Sequence, residues 1–188
     1  MKLYILCFAS VFCCLLPLKA VAQQTIYLHP DQALYQTGRF TAVLENPQGN
    51  LTFRDVRSKA VQAQFEQGTE DVLNFGYSKS SYWLKFNIKD TSKIYQTHLL
   101  QFSHPLVDSI SVYILKKGKL IKTTHTGGIL PFATREIPDP TFLFELPVMP
   151  GESITVYINC RGKSSKQFPI GIFSEKTFLE TSRQQNTF

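Results

Sequence analysis

The chain has 188 residues, a formal net charge of +6, 43% hydrophobic, 13% aromatic and 18% charged residues, a composition that excludes disordered and fibrous classes. At this length one domain with a sizeable core is expected, and a two-domain nucleotide enzyme does not fit. The mild basic excess points to acidic or anionic partners, and nucleic acid is not expected among them, because an exported chain with no basic helix rarely meets it.

Lys2, the uncharged run Leu3–Leu18 and the A-x-A site Ala20-Val21-Ala22 read as the three regions of a secretory signal peptide. Residues 1–22 are therefore assigned to a leader, too short an apolar run to span a bilayer. Loss of Lys2 and Lys19 lowers the net charge from +6 to +4, and loss of Cys7, Cys13 and Cys14 leaves Cys160 as the single mature thiol. No internal disulfide can form and no Cys/His set has zinc spacing, so stability has to come from the core and neither cofactor nor metal is expected. An exported, disulfide-free domain fits the bacterial periplasm or the outer face of the inner membrane.

Along the mature chain, strands are predicted over Thr25–His29 and Arg39–Leu44, followed by a short helix over Asn50–Arg57 with Asn50 as its cap. From residue 81 alternation dominates. Tyr82, Leu84, Phe86 and Ile88 fall on one face of a strand, with Trp83, Lys85 and Asn87 on the other. Asp108–Leu115 and Ser153–Cys160 repeat the design, with Ile110, Val112, Ile114, Ile154, Val156 and Ile158 as core and Ser111, Tyr113, Thr155, Tyr157 and Asn159 opposite. Further strands are predicted over Thr97–Phe102, Lys119–His125, Thr141–Leu146 and Phe168–Phe173. Lys117-Gly118 and Pro150-Gly151 read as hairpin turns, and Gly127-Gly128, Pro131, Pro138 and Pro140 mark a longer connection. Many short strands with little helix predict an all-β sandwich or barrel, one domain over residues 23–175. Residues 176–188 are polar, compatible with a helix, and read as a linker.

No chemistry of turnover is visible. There is no G-x-S-x-G elbow, no H-E-x-x-H pair among His29, His98, His104 and His125, and no glycine-rich phosphate loop followed by a helix. A binding protein is the expectation, not an enzyme. The informative feature is the face opposite the core. Should the three alternating strands share one sheet, Trp83, Tyr113 and Tyr157 would stud a polar surface with Lys85, Asn87 and Arg161 around them. Flat rings for C–H faces, ringed by amides and cations, suit a sugar or other small polar molecule. Aromatic residues also pack well on pleated surfaces, so the face can equally be core covered by loops.

The motifs carry a family resemblance. Leu73-Asn74-Phe75-Gly76-Tyr77-Ser78 followed by Tyr82-Trp83-Leu84-Lys85-Phe86 resembles the "lnlGyt…WlRf" signature of the type 2 extracellular domain of 7TMR-DISM receptors, seven-transmembrane receptors with diverse intracellular signalling modules. Pro105–Tyr113, Gly128 through Pro131–Arg135, and Val156-Tyr157-Ile158 are similar to its later segments, in the same order. Lys85 stands where the family has Arg. The resemblance implies a jelly-roll β-sandwich akin to carbohydrate-binding modules, and a seven-transmembrane module as partner in the full-length protein. It also implies Trp83 as a ring platform and Arg135 as a connection residue, which either pins the 131–140 loop through carbonyls or binds ligand. Two other readings stay open: a freestanding secreted carbohydrate-binding module, and a homodimer or other protein interface on the aromatic face.

Overall fold

Alternation along the sequence becomes two packed sheets. The structure, a computed structural model, describes residues 24–104 and 106–185; the leader and its cleavage site lie outside the described residues. Its strands are β1 (Thr25–Leu28), β2 (Leu34–Gln36), β3 (Ala42–Asn46), β4 (Glu66–Gln67), β5 (Leu73–Tyr77), β6 (Ser81–Asp90), β7 (His98–Phe102), β8 (Ser109–Lys116), β9 (Lys119–Thr126), β10 (Phe142–Leu146), β11 (Ser153–Arg161), β12 (Ser165–Phe168) and β13 (Ile170–Ser174). The larger sheet runs β4-β3-β6-β11-β8-β9, the smaller β10-β7-β13-β2, and β12 pairs with β5 as a separate ribbon.

β6 is the spine of the larger sheet. One of its edges is shared end to end: β3 pairs antiparallel with its first half, Ala42 opposite Lys85, and β1 pairs parallel with its second half, Thr25 opposite Asn87. The other edge pairs with β11 along nearly its whole length. The alternation predicted for β6, β8 and β11 holds: Leu84, Phe86, Ile88, Val112, Ile114, Val156 and Ile158 point inward and are buried. Across from them the smaller sheet supplies Leu100, Phe102, Phe142, Phe144, Ile170 and Ile172. Each such side chain contributes about 1.5–3 kcal/mol on full burial. This core holds the fold without a disulfide, and the one described cysteine, Cys160, is buried in it with its thiol pKa pushed up by burial.

Three predictions are corrected. Residues 38–40 form a 3-10 turn, and the strand expected from Arg39 begins at Ala42. The helix expected over Asn50–Arg57 is displaced: Thr52 and Asp55 bond reciprocally, the Thr52 amide and hydroxyl donating to Asp55 Oδ2 and the Asp55 amide to Thr52 Oγ1, and this closes a local turn. A 3-10 turn then covers Asp55–Arg57, and a single helical turn, α1 (Lys59–Gln62), is capped by Ser58, not Asn50. The strand expected over Phe168–Phe173 is two, broken at Pro169, which has no amide to give a ladder.

The Lys117-Gly118 hairpin tip is present, with φ of 50° and 75° in the left-handed region. After β13 the chain enters α2 (Glu175–Gln185), whose first turn is capped by Ser174 Oγ accepting from the Thr177 amide at 3.2 Å. The Glu175 amide donates to Thr97 O, and Phe178 packs edge-on against Phe173. These contacts seat the helix on the smaller sheet. No described helix is long and apolar enough to cross a membrane.

Candidate functional site

The three alternating strands do share one sheet, side by side as β6, β11 and β8. Their register aligns Trp83, Asn159, Ser111 and His125 in one row and Lys85, Tyr157, Tyr113 and Thr123 in the next. Partners in such rows have side chains on one face. The predicted ring-and-polar surface is therefore assembled.

It is not open. Residues 51–65 fold over it, and Leu51, Phe53, Val56, Val61 and Phe65 pack on Trp83, Tyr113, Tyr157, Leu115, Leu44 and Ala42 as a second apolar cluster. Phe53 stacks on Tyr113 and meets Tyr157 edge-on at 5.7 Å, while Tyr113 stacks on Trp83 at 5.8 Å. Trp83 is 1% exposed and Tyr157 5%. Of the two readings of this face, the covered one is observed, and Trp83 as an exposed ring platform is corrected. The reason is that the 51–65 segment carries its own apolar stripe and finds no other surface.

The polar residues of the face are held by the cover. Lys85 Nζ donates to Gln62 Oε1 at 2.6 Å and lies 5.7 Å from the Tyr157 ring centre. Burial pushes the Lys85 pKa down and the Tyr157 pKa up. Gln62 Nε2 donates to Val56 O and to the Tyr157 hydroxyl. The indole nitrogen of Trp83 is buried without a partner.

The remaining predicted site residues scatter. Asn87 accepts from Thr155 Oγ1 at 2.9 Å, at the far end of β6, in a groove of about 590 Å³ that also holds the Lys116–Glu152 ion pair. Arg161 is exposed at the end of β11, its Nε donating to Asn159 Oδ1. Arg135 lies between the rings of Phe132 and Phe142, 4.9 and 4.4 Å from their centres, and donates through Nη1 to the carbonyls of Asp139 and Thr141. Of its two readings, the loop pin is the one these contacts show. It stands apart from Trp83, across β9.

A cleft that the sequence reading missed opens at the opposite edge of the larger sheet. It has a volume of about 570 Å³ between β3 and β4 on one side and β5 on the other, lined by Glu45, Gln64, Glu66, Gln67, Glu70, Asn74, Phe75 and Tyr82 among others. Phe75 stacks on Tyr82 at 5.0 Å, and Phe75 is 42% exposed. Gly76 follows with φ of 66°, and its amide donates to Asn74 Oδ1. Hydrogen bonds from Ser80, Tyr82 and Ser78 hold the Glu45 carboxyl below the usual range, so it is ionised at neutral pH. Arg39 pairs with Asp71 at 2.8 Å and with Glu70 at 3.8 Å, bracing the rim.

The cleft thus offers one ring face, carboxylates and amides around a concave volume, the chemistry of a site for a hydroxylated small molecule. The signal was partly visible, since Leu73–Tyr77 belongs to the quoted motif. Its partners come from segments far apart in sequence. No group of three or more His, Cys, Asp or Glu is placed to hold a metal ion among the described residues.

A family model described as 7TMR-DISM extracellular 2 matches residues 38–174, most of the chain and nearly all of the sandwich. No curated protein matches.

Proposed function

We propose that this chain, which belongs to the 7TMR-DISM extracellular 2 family, takes a carbohydrate or similar small polar ligand in the cleft between β3–β4 and β5. The family makes it an extracytoplasmic sensor domain of a receptor whose full-length form carries a seven-transmembrane module. The ligand, the periplasmic face of a bacterial inner membrane and binding without turnover are the finer parts of the reading. The observation that carries it is the cleft itself: the half-exposed Phe75 ring faces a concave volume lined by Glu45, Glu66, Asn74, Gln64 and Gln67. A pyranose has an apolar C–H face for such a ring and hydroxyls for such acceptors and donors.

A ligand shifts a receptor only by its differential affinity for the two signalling states. In this reading the sandwich is the reader, and α2, seated on β13 and on Thr97, is the segment through which the shift leaves the domain.

The test is a thermal-shift screen of the chain against mono- and oligosaccharides, amino acids and nucleotides. A ligand at 100 times its Kd adds about 2.7 kcal/mol of stability. A sugar that raises the midpoint, and no longer does so in Phe75→Ala and Glu45→Gln, supports the cleft. A sugar whose effect survives both substitutions places binding elsewhere. No response to any compound from a folded chain removes the small-ligand reading and favours a protein partner.

A further inference from the structure

Beneath residues 51–65 the sheet face holds polar groups that its cover does not satisfy. Trp83 is almost wholly buried, and its Nε1–H has no acceptor. Lys85, next on the same face of β6, gives one hydrogen bond to the neutral Gln62 Oε1, and no carboxylate forms an ion pair with it among the described residues. A half-buried ammonium held by an amide oxygen and the Tyr157 ring, 5.7 Å from its centre, lacks the counter-charge that such groups ordinarily have. Two donors on one face of β6, about 7 Å apart along the strand, thus lie beneath the cover, and Gln62 meets the one on Lys85.

The cover is built to leave as a unit. Its backbone hydrogen bonds run within the segment, from Val56 to Thr52 through Phe65 to Gln62, and none extends a ladder of the sheet. Its polar ties to the sheet side are Gln62 to Lys85 and to Tyr157, and Arg57 Nη2 to Gly118 O at 2.9 Å in the β8–β9 turn. The rest is apolar contact: Phe53 on Tyr113 and Tyr157, with Leu51, Val56, Val61 and Phe65 packed beside it. Lifting it breaks no strand pairing and uncovers Tyr113 and Tyr157 beside Lys85.

We propose that this covered face is a second, closed ligand site, for a ring-shaped ligand that carries a carboxylate, with residues 51–65 as its lid. The carboxylate accepts from Lys85 Nζ and Trp83 Nε1, taking the place of Gln62 Oε1, and the ligand ring lies against Tyr113 and Tyr157 where Phe53 lies in the closed state. Gln62 is the lock: it supplies Lys85 with a neutral oxygen that an anion displaces with gain of charge pairing. The site differs from the cleft by β5 in the residues that take the ligand, although Gln64 of the lid and Leu44 beneath it also line that cleft.

Trp83 is the only tryptophan in the chain, so its emission and its quenching by acrylamide report the lid directly. The chain is titrated with D-glucuronate and with benzoate, carboxylates on a sugar ring and on a flat aromatic ring, and with D-glucose as the uncharged control. A carboxylate that binds changes Trp83 emission, D-glucose does not, and Gln62→Ala tightens carboxylate binding by about tenfold because the closed state loses its lock. Lys85→Met abolishes the binding, while Phe75→Ala leaves it intact, which separates this site from the cleft. Far-UV circular dichroism establishes that each variant is folded, and Phe53→Leu, which weakens the lid without removing the apolar contact, stands in if Gln62→Ala does not fold. The proposal is overturned if neither carboxylate alters Trp83 emission in the wild type or in the weakened-lid variant. It is equally overturned if the carboxylate-induced change in Trp83 emission persists in Lys85→Met or if D-glucose produces the same change.

Discussion

Phe53 lies flat on Tyr113, ring centres 4.2 Å apart and planes 5° from parallel, at the centre of the apolar cluster that joins the 51–65 segment to the sheet. The Arg57 guanidinium sits over the other side of the same ring, 5.4 Å from its centre. Phe53→Ala is expected to destabilise the domain by about 2–4 kcal/mol, the range for removing a large, mostly covered ring that also stacks. Urea unfolding followed by Trp83 emission measures it. Phe75→Ala, at the open cleft, is expected to cost less, about 1 kcal/mol, because that residue is already 42% exposed. Equal costs would mean that the cover contributes nothing to the fold.

Arg135 holds the 131–140 connection through two carbonyls and two rings. Lysine cannot reproduce a planar fork stacked between Phe132 and Phe142. Arg135→Lys is expected to cost about 2 kcal/mol while leaving any ligand affinity of the cleft unchanged, since the two lie at opposite edges of the larger sheet. Chemical unfolding and the ligand titration together check this, and a loss of affinity without a loss of stability would return Arg135 to the ligand set.

The parts of this fold that could be read in advance are those where one residue in two repeats a character. Leu84, Phe86 and Ile88 announce the inner face of β6 because a strand turns every second side chain the same way. β2 and β4, of three and two residues, are too short for any such period to register. The rings of the outer face were equally legible, since Trp83, Tyr113 and Tyr157 occupy the alternate positions. Whether they meet solvent was not, because that depends on Phe53, Val56 and Phe65 folding back onto strands that follow them in the chain. The cleft failed to appear for the same reason: Glu45, Glu66, Asn74 and Tyr82 become neighbours only when β3, β4, β5 and β6 assemble.

His98 begins β7, opposite Ser174 at the root of α2. Burial pushes its pKa down, against the charge of Asp90 and a bond to the Gln96 backbone, which push it up, and the net shift is downward. A base whose folded pKa lies below its unfolded value binds fewer protons folded than unfolded as the pH falls. Its contribution to stability is full above the unfolded value of 6.5, and is lost as pH falls from there through the lower folded value. The thermal midpoint is expected to drop between roughly pH 7.5 and pH 5, and His98→Gln is expected to flatten that slope. A slope unchanged in the variant would assign the acid sensitivity to other groups.

Gly68 forms the inner wall of the cleft where two loops touch. A Cβ there would stand 2.3 Å from Gly38 O and 2.7 Å from Leu73 Cδ2, and a Cβ on Gly38 would stand 2.3 Å from Glu70 O. Both contacts to backbone are closer than any side chain tolerates, so one loop must move. The Gly68 amide donates to Thr41 O at 2.8 Å and the Gly38 amide to Asp71 O at 3.2 Å, and these bonds hold the 66–71 strip against the start of β3. Gly68→Ala is expected to cost about 1–3 kcal/mol and to displace Glu66, Gln67 and Glu70 from the cleft together. Gly151→Ala serves as the comparison: its Cβ meets nothing within 4 Å, and its φ of 79° costs backbone strain without steric displacement. If the sugar found by thermal shift binds in the cleft, Gly68→Ala weakens it at least tenfold beyond any loss in Gly151→Ala, because the carboxylate wall moves while the Phe75 ring stays. Equal affinities in the two variants would show that the wall formed by Glu66 and Gln67 takes no part in recognition, leaving Phe75, Asn74 and Glu45 to carry it.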